Sequence, residues 1–402
     1  MMSPSPAGPG RVAVLGCGPA GMAAALSLAQ SGHRVTLYER YPEARPAGNV
    51  LNLWPPPIKA LGALGVDLHN FGAPCEAEFC DHKGRRRALI KIPAGTGGFL
   101  GMLRPELYER LFAALPPGIL QVNREVVRFT QDERKVTLHF KDGSVEEADV
   151  LIGADGLHSV VRRTLWNDPV REHRLHVIAG HTFADDTGAI GGKCVLMHSR
   201  AVQGSWTAIR HQGRYGFQWW LLEACDPAAP APEDLHAKAR AMAQEFAAPL
   251  PRLVESTDPA RLQHWVLRDR RPLRQWSKGR VTLVGDAAHP TSPYAAYGAG
   301  MAIEDGYFLG RALAGCDLSD PARVTGALRA YETPRVRYTA RQSQTAYYCG
   351  RLFHHTPRVL RPLRDLVLDH TPFLQKVVGD SNPKVILSQL ALIEDTPPAL
   401  PS

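Results

Sequence analysis

Late in the chain the sequence reads Gly285-Asp286-Ala287-Ala288-His289-Pro290, and its two flanks predict a strand, a turn and a helix. The apolar run 281–284 is typical of a buried strand, and the segment from Gly298 to Gly310 is typical of the helix that follows. This helix begins Gly298-Ala299-Gly300, so its N-terminus carries almost no side chain. A bound molecule can lie against that backbone, where the helix dipole stabilises negative charge.

The N-terminal end carries a second glycine-rich turn, in which Gly16, Gly18 and Gly21 are spaced as G-x-G-x-x-G. An apolar strand pattern precedes this turn and a helix pattern follows it, which is the context of a dinucleotide-binding loop. There the first glycine makes the tight turn, the second lets the backbone approach a pyrophosphate, and the third permits close helix–strand packing. A second strand pattern ends at Glu39, near the ~20-residue spacing of an acid that binds an unphosphorylated ribose. A glycine-rich turn without a ligand is the alternative interpretation.

Together the two motifs predict a single FAD held at both ends, with Asp286 bonded to its ribityl or pyrophosphate region. Arg104 begins a predicted helix and Asp155-Gly156 follows a predicted strand, so both can also reach the cofactor, although a surface arginine and an ordinary turn are alternatives. His289 is expected to be a structural partner in the Asp286 turn. The expected cofactor-binding residues are Gly16, Gly18, Pro19, Ala20, Gly21, Glu39, Arg40, Gly48, Arg104, Val126, Asp155, Asp286, Pro293, Gly298, Ala299, Gly300 and Met301.

Composition is typical of a globular protein that has more than one lobe. The chain has 402 residues, a net charge of +8 and 44% hydrophobic residues, and it exceeds the usual ~100–200 residues of one domain. Lysines and arginines are spread along it, so we expect no nucleic-acid partner. The seven cysteines form no Cys-x-x-Cys pair, which predicts free thiols in the cytoplasm and no metal. No apolar segment approaches the ~20 residues that span a bilayer.

These patterns predict an α/β fold: a Rossmann-like FAD-binding domain with an inserted α+β substrate domain and a C-terminal helical segment. The expected parts are a flexible tail at 1–10, the first part of the FAD-binding domain with small β insertions at 11–174, a β-rich substrate domain at 175–274, the second part of the FAD-binding domain at 275–345, and the helical segment and tail at 346–402.

The middle of the chain is rich in aromatic residues, and alternation at 214–221 predicts a strand that aims some of them at a pocket. Burial in an ordinary core is the alternative for most of them. We expect the substrate pocket to include Trp206, Phe217, Trp219 and Tyr297. A base that helps to ionise a phenol would raise the nucleophilicity of its ring, and the candidates are His211, Tyr215, Tyr294 and Arg210. For His211 a surface position at a strand end is the alternative.

Three motifs occur in the order typical of one enzyme family: the G-x-G-x-x-G turn with Glu39, Asp155-Gly156, and the 285–290 stretch. With Arg104 in Leu103-Arg104-Pro105-Glu106-Leu107, residues 11–340 resemble the class A flavoprotein aromatic hydroxylases, typified by p-hydroxybenzoate hydroxylase and salicylate hydroxylase. The resemblance implies non-covalent FAD, reduction by NADH or NADPH, and reaction with O2 to a flavin C4a-hydroperoxide that hydroxylates an electron-rich aromatic substrate. It implies no separate nicotinamide domain. A monomer or homodimer and a role in secondary metabolism are further expectations.

One departure from the family pattern is Tyr297-Gly298, where relatives often have Gln-Gly, so an aromatic side chain can line or gate the flavin ring. Four other functions remain open at this point. A Baeyer–Villiger or epoxidising monooxygenase would use the same scaffold. A flavin-dependent halogenase would show a Trp-x-Trp-x-Ile-Pro sequence, which Trp219-Trp220 does not match. An O2-independent flavin reductase would leave its product free of oxygen from O2, and a non-catalytic FAD-binding protein would not oxidise NAD(P)H.

Overall fold

A computed structural model describes residues 10–43, 50–93, 95–96 and 98–394. Within these residues the strands are β1 (Arg11–Leu15), β2 (Arg34–Tyr38), β3 (Val50–Leu53), β4 (Ala73–Asp81), β5 (Arg86–Leu89), β6 (Phe99–Leu103), β7 (Leu120–Gln121), β8 (Val126–Gln131), β9 (Val136–Phe140), β10 (Val145–Ala148), β11 (Val150–Gly153), β12 (Val170–Thr182), β13 (Lys193–His198), β14 (Gln203–His211), β15 (Arg214–Ala224), β16 (Gln263–Arg270) and β17 (Val281–Leu283). The α-helices are α1 (Pro19–Gln30), α2 (Pro55–Ala63), α3 (Arg104–Ala114), α4 (Val160–Trp166), α5 (Leu235–Ala243), α6 (Leu250–Glu255), α7 (Gly298–Leu313), α8 (Pro321–His354), α9 (Arg361–His370) and α10 (Asn382–Leu387).

A parallel sheet in the order β17-β11-β1-β2-β7 unites the two ends of the sequence. The short apolar strands β1 and β11 are buried, as expected of inner strands of a parallel sheet. Helix α1 begins at Pro19, where the missing N–H of proline costs nothing. It packs against α7 so closely that a Cβ on Gly306 would lie 2.4 Å from the amide nitrogen of Ala24. The late strand β17 and helix α7 therefore complete the unit that β1 and α1 begin.

A nine-stranded sheet forms the second layer, in the order β16-β12-β15-β14-β13-β4-β6-β3 with β5 paired to β4. It extends beyond the 175–274 range expected for a substrate domain, because β3 to β6 come from residues 50–103 and β12 begins at Val170. Helices α5 and α6 cover one face, on which Ile178, Trp219 and Leu221 are buried. The opposite face is turned toward α7 and α8.

The remaining elements connect and cover these two layers. Strands β8, β9 and β10 form a small antiparallel sheet. Strands β10 and β11 meet at Asp149 and belong to different sheets. From residue 321 onward the described chain is helical and includes a π-helical turn at Gln375–Ser381 between α9 and α10.

Candidate active site

A cleft of about 360 Å³ lies at the carboxyl ends of β1, β2 and β11, the edge at which open α/β sheets bind their ligands. We call it the cofactor cleft. Twelve of the residues expected to bind FAD line it: Gly16, Gly18, Pro19, Ala20, Glu39, Arg40, Arg104, Val126, Asp155, Asp286, Gly298 and Ala299. Residues from both ends of the sequence therefore surround one space.

The three glycines of the N-terminal loop have different surroundings. Gly16 has a φ of +100°, which other residues rarely adopt. A Cβ on Gly21 would lie 1.9 Å from the carbonyl oxygen of Gly16, so this position packs helix against strand. A Cβ on Gly18 would meet nothing within 4 Å. The bare backbone of Gly18 thus faces open space at the N-terminus of α1, which suits the approach of a pyrophosphate.

Two carboxylates of the cofactor cleft are fixed by backbone groups. Glu39 accepts hydrogen bonds from the amides of Cys17 at 2.9 Å and Tyr41 at 3.1 Å. One oxygen of Asp155 accepts from the amide of Val160 at 2.7 Å. Its other oxygen, Oδ1, is buried and has no partner among the described residues, and burial raises the pKa of this carboxyl group. Such an acceptor normally has a partner, and a cofactor hydroxyl can supply it, so these residues fit FAD.

Five of the expected cofactor-binding residues do not line the cofactor cleft in the described structure. Gly21 packs inside the fold, as its expected role requires, and Gly48 lies outside the described residues. Gly300 is enclosed instead, since a Cβ there would lie 2.8 Å from the Tyr297 ring. Met301 is fully buried. Neither Gly300 nor Met301 lines the cofactor cleft, because the helix turns both residues inward after Ala299. Pro293 lines the neighbouring cavity.

That neighbouring cavity, of about 860 Å³, lies between the nine-stranded sheet and the residues that precede α7. We call it the aromatic cavity. Its lining is mostly apolar and includes Trp54, Phe79, Phe99, Trp220, Trp265, Tyr294 and Tyr297. It meets the cofactor cleft, and the residues that line both spaces are Arg104, His158, Asp286, Gly298 and Ala299. A planar group at this junction would contact both the cleft and the cavity.

Only one of the four aromatic residues expected in the substrate pocket lines the aromatic cavity. Tyr297 does so. Trp219 is instead buried beneath α5 and α6, and its indole N–H donates to the Thr257 hydroxyl at 2.8 Å. Trp206 and Phe217 pack edge to face in the same region of the core. Because successive side chains of a strand point to opposite faces, it is Trp220, one residue after Trp219, that lines the cavity.

Of the candidate bases, three lie outside both the cofactor cleft and the aromatic cavity, and the fourth is bonded to another side chain. His211 bonds the Glu106 carboxylate at 3.0 Å at the end of β14, and Tyr215 is 64% exposed with Arg210 over its ring. None of these three lines either space. Tyr294 lines the aromatic cavity, but its hydroxyl bonds Nε2 of His354 at 2.6 Å.

Burial raises the pKa of Tyr294 well above its ordinary value. Burial also lowers the pKa of His354 to about 4. This histidine is therefore neutral at pH 7, and it accepts the hydrogen bond that the Tyr294 hydroxyl donates. The geometry does not support His211, Tyr215 or Arg210 as a base, and it engages Tyr294 in a structural pair.

A buried charged network supports the start of α7. Arg335 on α8 donates to Asp305 at 2.8 Å, to Glu304 at 2.9 Å and to the carbonyl of Met301 at 3.1 Å. Burial alone would lower the pKa of Arg335, but Asp305 and Glu304 raise it, so the guanidinium stays charged. Tyr297 donates to Glu304.

His289 bonds Asp305, which also accepts a hydrogen bond from the amide of Gly285 in the same turn. His289 is thus engaged in a buried contact that holds this turn against α7. The exposed Asp286 is left facing the junction of the two spaces. Glu304 and Asp305 are two consecutive acids in a mostly apolar helix, which is a sequence signal for such a network, whereas Arg335 itself carries none.

The described residues include no group of three or more His, Cys, Asp and Glu side chains arranged to hold a metal ion. Among the helices of the described segments, none has the length and apolar content to cross a bilayer. All seven cysteines belong to the described residues, and each is a free thiol.

Comparison with known proteins places this geometry in a family. Residues 10–345 match the family described as "FAD binding domain". The chain is 30% identical to 6-hydroxynicotinate 3-monooxygenase of Bordetella bronchiseptica, over 84% of this chain and 90% of that protein. It is also 30% identical to 3-hydroxybenzoate 6-hydroxylase of Klebsiella oxytoca, over 89% of this chain and 92% of that protein.

Solved structures share the fold. HpxO of Klebsiella pneumoniae, crystallised with FAD and uric acid, superposes with a TM-score of 0.80 at 24% identity, covering 94% of this chain and 96% of that one. A salicylate hydroxylase substrate complex gives a TM-score of 0.71 at 23% identity, covering 94% and 98%. The expected α/β fold with a helical C-terminal segment is confirmed. The chain belongs to the family of FAD-dependent aromatic hydroxylases, and it is a FAD-dependent monooxygenase.

Proposed function

We propose that this enzyme inserts one oxygen atom of O2 into a small aromatic molecule that carries a hydroxyl or amino group, and that it consumes NADH or NADPH. The observation that supports this most directly is the junction of the cofactor cleft with the aromatic cavity at Gly298 and Ala299. Several relatives are named for hydroxylated or aminated aromatic acids as their substrates.

FAD, when bound, would supply the redox chemistry and the activation of O2. The protein would contribute position, electrostatics and the exclusion of water. Gly298 and Ala299 begin the 16-residue helix α7, so its positive end would stabilise negative charge at the junction. The rings of Trp220 and Trp265 would hold an aromatic substrate by apolar contact.

The polar groups of the aromatic cavity would orient the substrate. Asn52, Gln263 and Arg268 are among them, and a carboxylate on the substrate would find its charge partner in Arg268 or Arg104. The Thr291 hydroxyl lines the same cavity and is buried without a partner among the described residues. A polar substituent of the substrate would satisfy it.

The proposal assigns no dedicated domain to the nicotinamide cofactor, since the sequence has one dinucleotide fingerprint and the cofactor cleft is assigned to FAD. Reduced nicotinamide would reach the flavin from solvent. We place the enzyme in the cytoplasm as a monomer or homodimer, in keeping with its seven free thiols, and regard secondary metabolism as its setting.

The test is a screen of hydroxylated and aminated aromatic acids against the FAD-loaded protein. Substrate-stimulated NAD(P)H oxidation should be accompanied by a product 16 mass units heavier under air and 18 units heavier under 18O2, a shift set by the isotope masses. Product analysis separates ring hydroxylation from lactone or epoxide formation. If NAD(P)H oxidation gives only hydrogen peroxide with every bound aromatic compound, the proposed activity is wrong.

A further inference from the structure

Large apolar side chains are concentrated on the outside of the C-terminal helical region. Of the sixteen that the described residues expose, seven lie within residues 359–377. We call them the outer face, and they are Val359, Leu360, Leu363, Leu366, Val367, Phe373 and Val377. Val359 is 85% exposed and Leu363 is 60% exposed. Single exposed apolar residues are ordinary, but a contiguous group marks an interaction surface.

Helix α9 has the reverse of the usual amphipathic arrangement. Leu363, Leu366 and Val367 follow the i, i+3, i+4 spacing of one helix face, and all three are exposed. The opposite face buries Arg364 with Leu368. Arg364 donates to Asp365 at 2.6 Å and to the carbonyl of Phe353 at 2.6 Å. The helix therefore neutralises a cation inside the protein and presents leucines to the outside.

The acidic side chains around the outer face are paired, whereas several cations near it are exposed. Asp365, Asp369 and Asp380 are each held in an ion pair, with Arg364 at 2.6 Å, Arg87 at 2.6 Å and Lys91 at 3.1 Å respectively. The cations Arg358, Lys376 and Lys384 are exposed in the same stretch of chain. The whole chain also carries a net charge of +8. Apolar side chains with a cationic rim match the surface of a bilayer that contains anionic lipid.

The outer face also lies close to the aromatic cavity. Val378, next to the exposed Val377, lines that cavity. Leu368 and Leu374 pack in one cluster with Phe79, which also lines it. The segment that carries the outer face thus forms part of the wall that separates the cavity from the outside.

We propose that the outer face docks this enzyme on an anionic membrane surface, with α9 lying in the plane of the interface. Leu363 and Leu366 would enter the boundary between headgroups and acyl chains, and Arg358 and Lys376 would contact lipid phosphates. A second copy of this chain fits less well, because a twofold contact through this face would bring the exposed cations of both copies together. The proposal does not depend on the substrate or on the chemistry of the flavin.

Co-sedimentation of the full-length, FAD-loaded protein with vesicles tests this proposal. Vesicles of phosphatidylcholine alone are compared with vesicles that contain phosphatidylglycerol. We expect binding to the anionic vesicles that weakens as salt rises, because the cationic contacts are screened. The double variant Leu363→Gln/Leu366→Gln should lower the partition coefficient by roughly tenfold or more, because two apolar anchors are lost. Arg358→Glu/Lys376→Glu should weaken binding to anionic vesicles alone.

A matched control comes from the small antiparallel sheet, where Val127 is 48% and Val145 is 53% exposed. Val127→Gln/Val145→Gln should leave vesicle binding unchanged, and flavin content shows that each variant is folded. Absence of binding to anionic vesicles at low salt would overturn the proposal. So would a dimer in analytical ultracentrifugation that Leu363→Gln/Leu366→Gln dissociates while vesicles bind neither protein, because the occupant would then be a second copy.

Discussion

Replacing Arg335 by methionine should destabilise the protein strongly, although this residue lines neither the cofactor cleft nor the aromatic cavity. Its side chain is 2% exposed, and its four described hydrogen bonds go to Asp305, Glu304, Gln389 and the Met301 carbonyl. Methionine fills much of the same volume without a charge. The substitution therefore removes one partner of a buried ion network and leaves two carboxyl groups behind.

The expected magnitude follows from that loss. Breaking a buried pair from one side costs about 3–5 kcal/mol. With an unfolding entropy of about 2.1 cal/mol/K per residue over the 402 residues, this corresponds to a fall in Tm of roughly 4–6 °C. Adding Glu304→Gln to Arg335→Met should recover part of the loss, since one of the two uncompensated acids is then neutral. Burial already raises the pKa of Glu304 above its ordinary value, in spite of Arg335.

The assay is thermal unfolding followed by circular dichroism, with flavin fluorescence as a second signal. Arg337→Met is the matched control, because Arg337 is exposed on the same helix and should change Tm by less than about 1 °C. If Arg335→Met lowers Tm no more than Arg337→Met, the network does not support α7 and the reasoning fails.

Three further predictions concern the cleft, the cavity and acid stability. The Gly18→Val variant should fold, because a Cβ there meets no protein atom within 4 Å, but it should bind FAD roughly tenfold or more weakly. Equal flavin absorbance per mole of purified variant and parent would contradict this. Asp286→Ala should also weaken the retention of FAD. Trp220→Ala should raise KM for the aromatic substrate, whereas Trp219→Ala should cost about 3–5 kcal/mol of unfolding free energy at nearly unchanged KM. Steady-state kinetics of the two variants would reveal a reversed assignment. His289 and Arg335 lower the pKa of Asp305 below its ordinary 3.8, although burial alone would raise it. The contribution of Asp305 to stability is therefore present above pH 4 and lost as the pH falls through the lowered pKa. Between pH 6 and pH 3, the urea concentration at the unfolding midpoint should fall further for the parent than for Asp305→Asn. An equal fall for the two proteins would exclude this role.

The nucleotide-binding half of the fold follows from local sequence rules. Gly16 has a positive φ and Gly21 has no room for a Cβ. The G-x-G-x-x-G spacing of the loop predicts both requirements. The strand before Gly285 and the helix after Tyr297 can also be predicted from the sequence, because apolar runs and helix starts are local signals. What brings the two motifs together is the pairing of β11 with β1 and β17, and their shared cofactor was the reason to expect it.

The substrate side was less predictable, because it depends on which face of a sheet is covered. Trp219 and Trp220 are neighbours in sequence, and nothing local indicates that α5 and α6 bury the first and leave the second to the cavity. His211 satisfies the chemistry of a base, but its position at the end of β14 pairs it with Glu106. Long-range packing decides both cases.

The central claim is that one FAD molecule lies in the cofactor cleft with its flavin ring at the junction with the aromatic cavity. A crystal structure of the FAD-loaded enzyme tests it most directly. We expect electron density with the adenosine beside Glu39, the pyrophosphate over Gly18, and the flavin ring against Gly298 and Ala299 or turned outward from them beside Arg104. Density that places the flavin ring away from these three residues would contradict the account.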